Sequence, residues 1–217
     1  MSGLGRVGLK VCGVTNADDL RACRDAGVDA VGINFWTGSK RYVPGPDAAR
    51  WVAQVRAEGE LPTLVGVFVD PVPSYMTAIV DAVHLDLVQL HGDSPVSAYA
   101  ALGQPWVQVI RGPRPLARVR VSKPTPRWVL LDAAVPGYGG QGVQLDWQWA
   151  RSAVAALSAH EVWLAGGIGP DNAADAIATV CPAGLDVASG AEIDRDARRK
   201  DPAKIAALVR ICHNASA

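Results

Sequence analysis

The stretch LVGVFVDPVPSYMTAIVDAVHLDLVQL, residues Leu64–Leu90, shows the pattern that decides the fold. It begins and ends with apolar runs, Leu64–Val69 and Leu85–Leu90, that mostly do not alternate with polar residues. Such runs are typical of parallel strands that are buried on both faces. Between them, apolar residues recur at the i, i+3, i+4, i+7 spacing of a helix that packs on a sheet. These residues are Met76, Ile79, Val80 and Val83. The stretch is therefore predicted to form one β–α–β unit.

The same unit recurs along the whole chain of 217 residues. Six further apolar runs are Val7–Val11, Ala30–Phe35, Trp106–Ile110, Trp128–Leu131, Val162–Ala165 and Leu185–Ala188. The count is thus eight strands alternating with about eight helices. An open doubly wound sheet usually has about five or six strands, whereas eight strands fill a closed barrel. No linker divides the chain, so residues 1–217 are predicted to be a single domain of the α/β class, a (β/α)8 TIM barrel.

Helix boundaries are marked by capping residues. Capping side chains predict helix starts at Asn16, Asp146 and Asp201. Ser94-Pro95 likewise combines a capping oxygen with a proline at the first helical position, which predicts a helix there. The segment Pro113–Pro126 is weaker, because only Leu116 and Val119 suggest a short helix.

Composition and charge exclude several functional classes. Lys and Arg together number 21, as do Asp and Glu, so the net charge is zero, which argues against a nucleic-acid binder or a binder of anionic membranes. No apolar run approaches the roughly 18 residues of a membrane helix, and no signal peptide pattern precedes Arg6. The four cysteines form no CxxC pair, so a cytoplasmic protein with reduced thiols is expected. The histidines and cysteines lack ligand spacing, so no metal site is expected.

Functional residues of such barrels lie where strands end and in the loops that follow. This rule converts the predicted strands into a set of candidate residues. The candidates are Cys12, the loop 37–41 with Arg41, Asp70, Gln89, His91, Arg111, Asp132, Gly166, Gly167, Asp186, Ser189 and Gly190.

Two candidates have no evident structural duty. A lone cysteine is most often a small buried apolar residue, but the helix after Cys12 already has Thr15 or Asn16 as its cap. An aspartate after a strand is usually a helix cap, yet Asp132 precedes a glycine-rich loop, and the next cap is Asp146. Both side chains are therefore predicted to be functional.

Anion-binding features appear in three loops. Ala165-Gly-Gly167 and Ala188-Ser-Gly-Ala191 follow the last two strands, where this fold commonly binds phosphate. Paired glycines are more often simple turns, but their presence in both loops predicts a phosphate site, since glycine lets backbone N–H groups approach an anion. Arg41 would ordinarily be a solvated surface residue. Its guanidinium could instead bind a substrate carboxylate through two hydrogen bonds.

A series of short motifs covers nearly the whole chain. The motifs are KVCGVTN (residues 10–16), AGVDAVG (26–32), SKRYV (39–43), VGVFV (65–69), VQLHG (88–92), LLD (130–132), YGG (138–140) with DW (146–147), LAGG (164–167), PDN (170–172) and DVASG (186–190). Together and in this order, they resemble the motifs of the phosphoribosylanthranilate isomerase family of tryptophan biosynthesis. The combined signal is strong although single motifs are weak.

The resemblance implies an Amadori rearrangement of N-(5′-phosphoribosyl)anthranilate, a small phosphosugar, without a cofactor. It implies that Asp132 is the general acid that protonates the furanose oxygen, and that Cys12 is the general base that removes the C2′ proton. Arg41 would bind the anthranilate carboxylate, and Asp186 would lie beside the anthranilate amine. The other residues that the resemblance places at the substrate are Gln89, His91, Gly140, Gly166, Gly167, Ser189 and Gly190. The sequence leaves both a monomer and a homodimer open.

The chain departs from the family pattern at three places that spare the acid and the base. Ala188 stands where serine is usual, Asn34 replaces an apolar residue, and the stretch 143–145 differs. Two other functions fit the sequence less well. The sister isomerase of histidine biosynthesis has aspartates at both catalytic strand ends and a half-barrel repeat, whereas this chain has Cys12 and no such repeat. A phosphate-ligand sensor without activity would need neither Cys12 nor Asp132.

The implied mechanism needs Cys12 as a thiolate and Asp132 as a neutral acid in the same molecule. At ordinary pKa values, only about 3% of thiols and about 0.1% of carboxyls meet these conditions at pH 7. We therefore expect a nearby cation or the phosphate-binding dipoles to lower the pKa of Cys12, and burial to raise the pKa of Asp132.

Overall fold

The computed structural model describes residues 6–99, 103–134 and 143–215. In these residues eight parallel strands pair in sequence order, and the last pairs with the first, so the sheet is a closed barrel. The predicted TIM barrel is confirmed. The barrel strands are β1 (Gly8–Cys12), β2 (Ala30–Asn34), β3 (Thr63–Val69), β4 (Leu87–His91), β5 (Trp106–Gly112), β6 (Trp128–Ala133), β7 (Val162–Leu164) and β8 (Gly184–Val187).

Helices cover the outside of the barrel. Those in the described ranges are α1 (Ala17–Ala26), α2 (Gly45–Arg56), α3 (Pro73–Val83), α4 (Trp147–Ala156), α5 (Ala173–Val180) and α6 (Pro202–Asn214). The caps predicted at Asn16, Asp146 and Asp201 are confirmed, whereas the one at Ser94 is not: Asn16 accepts a hydrogen bond from the Asp19 amide, and Asp146 and Asp201 each accept two at the starts of α4 and α6. No helix among the described residues is long and apolar enough to cross a membrane. A short antiparallel hairpin, β9 (Glu192–Ile193) with β10 (Asp196–Lys200), lies between β8 and α6.

The prediction of about eight helices is wrong for the residues that the structure describes. After Ser94-Pro95, the connection between β4 and β5 has only a single 3₁₀ turn, Val96–Ala98, in its described part. The connection between β5 and β6 has only the 3₁₀ turn Leu116–Arg118. Prolines explain the second case, because the residues on both sides of this turn include Pro113, Pro115, Pro124 and Pro126, which lack the N–H group that a longer helix requires.

Two apolar layers form the core, one between the sheet and the helices and one inside the barrel. The interior layer includes Trp128 and Trp163, whose rings stack with centroids 4.9 Å apart. Gly8 and Gly184 lie beside the Trp163 ring, where a larger residue would collide with it. Because this layer fills the interior where the strands begin, the polar interior residues lie where the strands end.

Gly184→Ala tests the packing of this interior layer. A Cβ atom at Gly184 would lie 2.5 Å from the Trp163 ring, which cannot swing away because it is stacked on Trp128. We expect the substitution to lower the free energy of unfolding by about 1–3 kcal/mol in a urea titration. At Gly169 the nearest atom would be 3.5 Å away, so Gly169→Ala should change stability by no more than about 0.5 kcal/mol. Equal losses for both variants would contradict this account.

Candidate active site

A cavity open to solvent lies at the carboxyl ends of the barrel strands. Most of the side chains and loops predicted from sequence surround it. The predicted residues that line it are Cys12, Arg41, Gln89, His91, Asp132, Gly166, Gly167, Asp186 and Ser189. Gly190 does not line the cavity but packs against its wall, and Gly140 lies outside the described residues. The carboxyl ends of the strands thus bring residues from distant parts of the sequence to one cavity.

Cys12 is the last residue of β1 and is half-buried. Two residues earlier on the same strand, the fully buried Lys10 donates a hydrogen bond from Nζ to Asp186 Oδ2 at 2.8 Å. The pairing of β1 with β8 sets Lys10 directly opposite Asp186. The second carboxylate oxygen, Asp186 Oδ1, is buried and has no hydrogen-bond partner among the described residues. It is therefore a hydrogen-bond acceptor at the wall of the cavity.

The expectation that the pKa of Cys12 is lowered is wrong. Burial raises the pKa of this thiol, and this effect outweighs the opposing charges of Lys10, Lys200 and Arg41. Asp186, also close by, adds to the increase. The cations expected from sequence are present, but the free energy needed to remove a thiolate from water exceeds the stabilisation that these cations provide. Cys12 is therefore a protonated thiol at neutral pH.

Asp132 lies near the end of β6 and is buried. Burial, with the nearby Asp186 carboxylate, raises the pKa of Asp132 to about 6. The Ala133 amide, Lys10 and Arg111 act in the opposite direction but are weaker. The predicted increase is confirmed. The Ala133 amide donates to Oδ1 at 2.8 Å, which leaves the other oxygen, Oδ2, as the atom available to carry a proton.

Gln89 and His91 lie side by side on β4. The Gln89 Nε2 atom is 2.8 Å from His91 Nε2, and since an amide nitrogen only donates, the imidazole Nε2 accepts. Burial, together with Lys10 and Arg111, lowers the pKa of His91 to about 3, so the ring is neutral. Its proton must then be on Nδ1, a buried atom without a partner among the described residues. His91 thus offers one neutral N–H donor.

Arg41 is buried rather than solvated. Its Nε atom donates to Glu192 Oε1 at 2.5 Å, and Lys200 Nζ lies 3.3 Å from the same oxygen. Lys200 also donates to the Ala188 carbonyl at 3.1 Å, which ties this cluster to the loop after β8. The β9–β10 hairpin supplies both Glu192 and Lys200. A buried guanidinium held at Nε has a restricted orientation, as recognition of a planar anion requires.

The two glycine loops are in direct contact. Gly166 and Gly167 have φ of +91° and +67°, in the left-handed region that favours glycine. A Cβ atom on Gly190 would lie only 2.0 Å from the Ile168 carbonyl oxygen, so only glycine fits where the loop after β8 meets the loop after β7. The two loops therefore present one continuous backbone surface, to which Ser189 contributes at the start of a short 3₁₀ turn.

Two candidates are not brought to the cavity. Asp70 accepts hydrogen bonds from the Asp93 and Ser94 amides and therefore organises a loop. Arg111 contacts the Gly92 carbonyl and Asp93. Within the described ranges, no group of three or more His, Cys, Asp or Glu residues is arranged to hold a metal ion.

Three buried charged residues of the site were not singled out from sequence. Lys10 carried a signal, because it is two residues before Cys12 on a strand and must share its face. Glu192 and Lys200 carried none, since charged residues in a hairpin are usually exposed.

Comparisons with known proteins identify the family. Residues 9–211 match the family model described as N-(5′-phosphoribosyl)anthranilate (PRA) isomerase. The enzyme of that name from Myxococcus xanthus is 44% identical over 192 residues, which cover 86% of this chain and 87% of the relative.

Solved structures agree with this match. The phosphoribosylanthranilate isomerase from Thermus thermophilus superposes with a TM-score of 0.80 at 29% identity and covers 94% of this chain and 98% of that one. Another phosphoribosylanthranilate isomerase structure, in complex with reduced 1-(o-carboxyphenylamino)-1-deoxyribulose 5-phosphate, superposes with a TM-score of 0.76 at 27% identity and covers 95% of this chain and 98% of that one. The chain therefore belongs to the N-(5′-phosphoribosyl)anthranilate isomerase family, and the family and enzyme class predicted from its motifs are confirmed.

Proposed function

We propose that this chain converts N-(5′-phosphoribosyl)anthranilate to 1-(2-carboxyphenylamino)-1-deoxyribulose 5-phosphate in tryptophan biosynthesis, with Asp132 as the acid and Cys12 as the base. One observation carries the proposal: a buried carboxyl of raised pKa and a cysteine line a single cavity beside a buried arginine and two glycine loops. The related complex with a reduced form of the product supports the choice of ligand. That ligand has a carboxylate at one end and a phosphate at the other.

The first step is proton transfer from Asp132 to the furanose ring oxygen. The bond between C1′ and the ring oxygen then breaks, and the nitrogen lone pair forms a C1′=N Schiff base. With a pKa of about 6, roughly a tenth of the Asp132 carboxyls are protonated at pH 7, compared with about 0.1% at an ordinary pKa. Burial therefore makes the acid about a hundred times more abundant.

The second step is removal of the C2′ proton by Cys12. The electron pair of that bond forms C1′=C2′, the nitrogen is neutralised, and the resulting enolamine tautomerises to the ketone. Because the raised pKa of Cys12 keeps it protonated at neutral pH, the reactive pair is a tautomer of the ground state. One proton moves from the thiol to the carboxylate, and the total number of protons in the pair does not change.

The other polar groups suit the rest of the substrate. Arg41, oriented by Glu192, binds the anthranilate carboxylate. Asp186 Oδ1 accepts a hydrogen bond from the anthranilate N–H, and His91 Nδ1 donates one to a sugar oxygen. The substrate thereby provides a partner for two buried protein atoms that have none among the described residues. The amides of the loops at Gly167 and Gly190 receive the phosphate. These assignments pair anions with donors and the amine with an acceptor.

Removing either reactive group tests the proposal. We expect Cys12→Ala and Asp132→Asn each to lower kcat by about 10²–10⁴-fold, with substrate binding largely kept, because each removes a proton-transfer group. The measurement is a fluorescence assay with freshly made phosphoribosylanthranilate. Cys181→Ser is the matched control, since Cys181 is exposed and lies outside the cavity. Near-normal turnover in either test variant would overturn the acid–base assignment.

The pH dependence should be a broad bell. Below about pH 6 the pair gains a second proton, which removes the thiolate-containing form, and above the raised pKa of Cys12 it loses the last proton. Between these limits the one-proton state dominates and kcat/KM should be flat. Since the substrate phosphate also titrates near pH 6, the acid limb is assigned by comparing the proton titration of the free enzyme with that of Asp132→Asn. A narrow maximum below pH 6 would contradict the two raised pKa values.

Arg41→Ala tests the carboxylate contact. We expect kcat/KM to fall by about 2–4 kcal/mol in transition-state stabilisation, and Arg41→Lys to recover only part, because an ammonium cannot form two parallel hydrogen bonds. Lys200 also pairs with Glu192, so loss of Arg41 does not leave this carboxylate without a cation. Circular dichroism checks that both variants keep the fold. Arg50→Ala is the matched control, since Arg50 is exposed and pairs only locally with Asp47. A change within about twofold for Arg41→Ala would show that Arg41 does not bind the substrate.

A further inference from the structure

Lys10 is a fully buried cation on the inner face of β1. Gly8, Lys10 and Cys12 are every second residue of β1 and lie on its inner face. Toward the start of the strand from Lys10, the interior is apolar around Trp163. An apolar side chain would occupy this position without the cost of removing an ammonium from water. Lys10 does not line the cavity. The charge must therefore act through its neighbours.

Those neighbours are two residues of the proposed site. Lys10 Nζ is 2.8 Å from Asp186 Oδ2. A Cβ atom on Gly32 would lie 2.8 Å from Cys12 Sγ and 3.1 Å from Lys10 Nζ. The thiol and the ammonium therefore lie close together, on either side of this position. Glycine at this position on β2 leaves the room that both groups occupy. One ammonium is thus shared between a carboxylate and a thiol.

We propose that Lys10 is a positioning residue that stabilises the thiolate of Cys12 and holds Asp186 with Oδ1 turned to the substrate. The proposal rests on the proposed function, in which Cys12 is the base. Of the charged groups that face Cys12, Lys10, Lys200 and Arg41 favour the thiolate, and Asp186 opposes it. The effect of Lys10 is the largest of the four. Burial would lower the pKa of Lys10, but Asp186 and Cys12 outweigh it and raise this pKa, so Lys10 stays charged.

The reactivity of Cys12 toward iodoacetamide measures this effect without any substrate. The rate is followed by mass spectrometry from pH 6 to 10 in a Cys181→Ser background, because Cys181 is the exposed cysteine. Cys23 and Cys212 are buried, with pKa values raised by burial to about 12. In this background we expect Lys10→Met to slow alkylation of Cys12 at pH 7 at least tenfold and to move the midpoint to higher pH.

The matched control is Lys123→Met, which makes the same chemical change at an exposed lysine that contacts Thr125. Its alkylation profile should equal that of the parent. A Lys10→Met profile that superimposes on the parent would overturn the proposal. If Lys10→Met alone does not fold, Lys10→Met/Asp186→Asn removes both charges of the buried pair and is compared with Asp186→Asn. The double variant should again react at least tenfold more slowly, and equal rates would overturn the proposal.

The assay separates this inference from the proposed function. Slowed alkylation in Lys10→Met together with an active Cys12→Ala enzyme would support the contact between Lys10 and the thiol but reject Cys12 as the base. The positioning role of Lys10 in the reaction would then be rejected as well. An inactive Cys12→Ala enzyme with unchanged alkylation in Lys10→Met would keep the base and reject the role of Lys10. Slowed alkylation with an inactive Cys12→Ala enzyme supports both.

Discussion

The parallel pairing of β8 with β1 is the constraint on which the rest of the structure depends. It closes the sheet, so that no strand of the barrel is left with unpaired backbone groups at an edge. Its register sets Lys10 opposite Asp186, which are 176 residues apart in the sequence. A shift of one residue would turn every interior side chain of one strand outward and leave a buried ammonium without its carboxylate. Closure of the barrel and assembly of the site are therefore one event.

Burial then determines the chemistry of the cavity. Lys10, Arg41 and Lys200 are buried, and each is paired with Asp186 or Glu192. A low-dielectric environment strengthens each of these interactions and makes any unpaired charge expensive. The same burial raises the pKa values of both Cys12 and Asp132. The protein thus does not hold a thiolate in its resting state. It holds a thiol and a carboxylate that differ from the proposed reactive pair by the position of one proton.

Much of the site could be predicted because strand ends in a barrel converge. Cys12 and Asp132 each directly follow a buried apolar run, and Asp186 lies near the end of β8. A closed parallel sheet brings such strand ends to one opening. Lys10 could have been found by the two-residue period of a strand. Glu192 and Lys200 could not, because nothing in a short polar hairpin indicates that it folds back over Arg41. The connections after β4 and β5 were predicted as helices from caps and a few apolar residues, and this local evidence was too weak.

The sequence by itself determined the fold and the family, and it led to Asp132 and Cys12 as the proposed acid and base. These follow from local properties, namely the run length of apolar residues, the spacing on helices and the order of motifs. Only the tertiary structure decided the protonation of the site. Whether Cys12 is a thiol or a thiolate depends on the balance between burial and the charges of Lys10, Lys200, Arg41 and Asp186. Three of these residues, Lys200, Arg41 and Asp186, are distant from Cys12 in the sequence, and the sign of the balance cannot be obtained until their distances from the thiol are known.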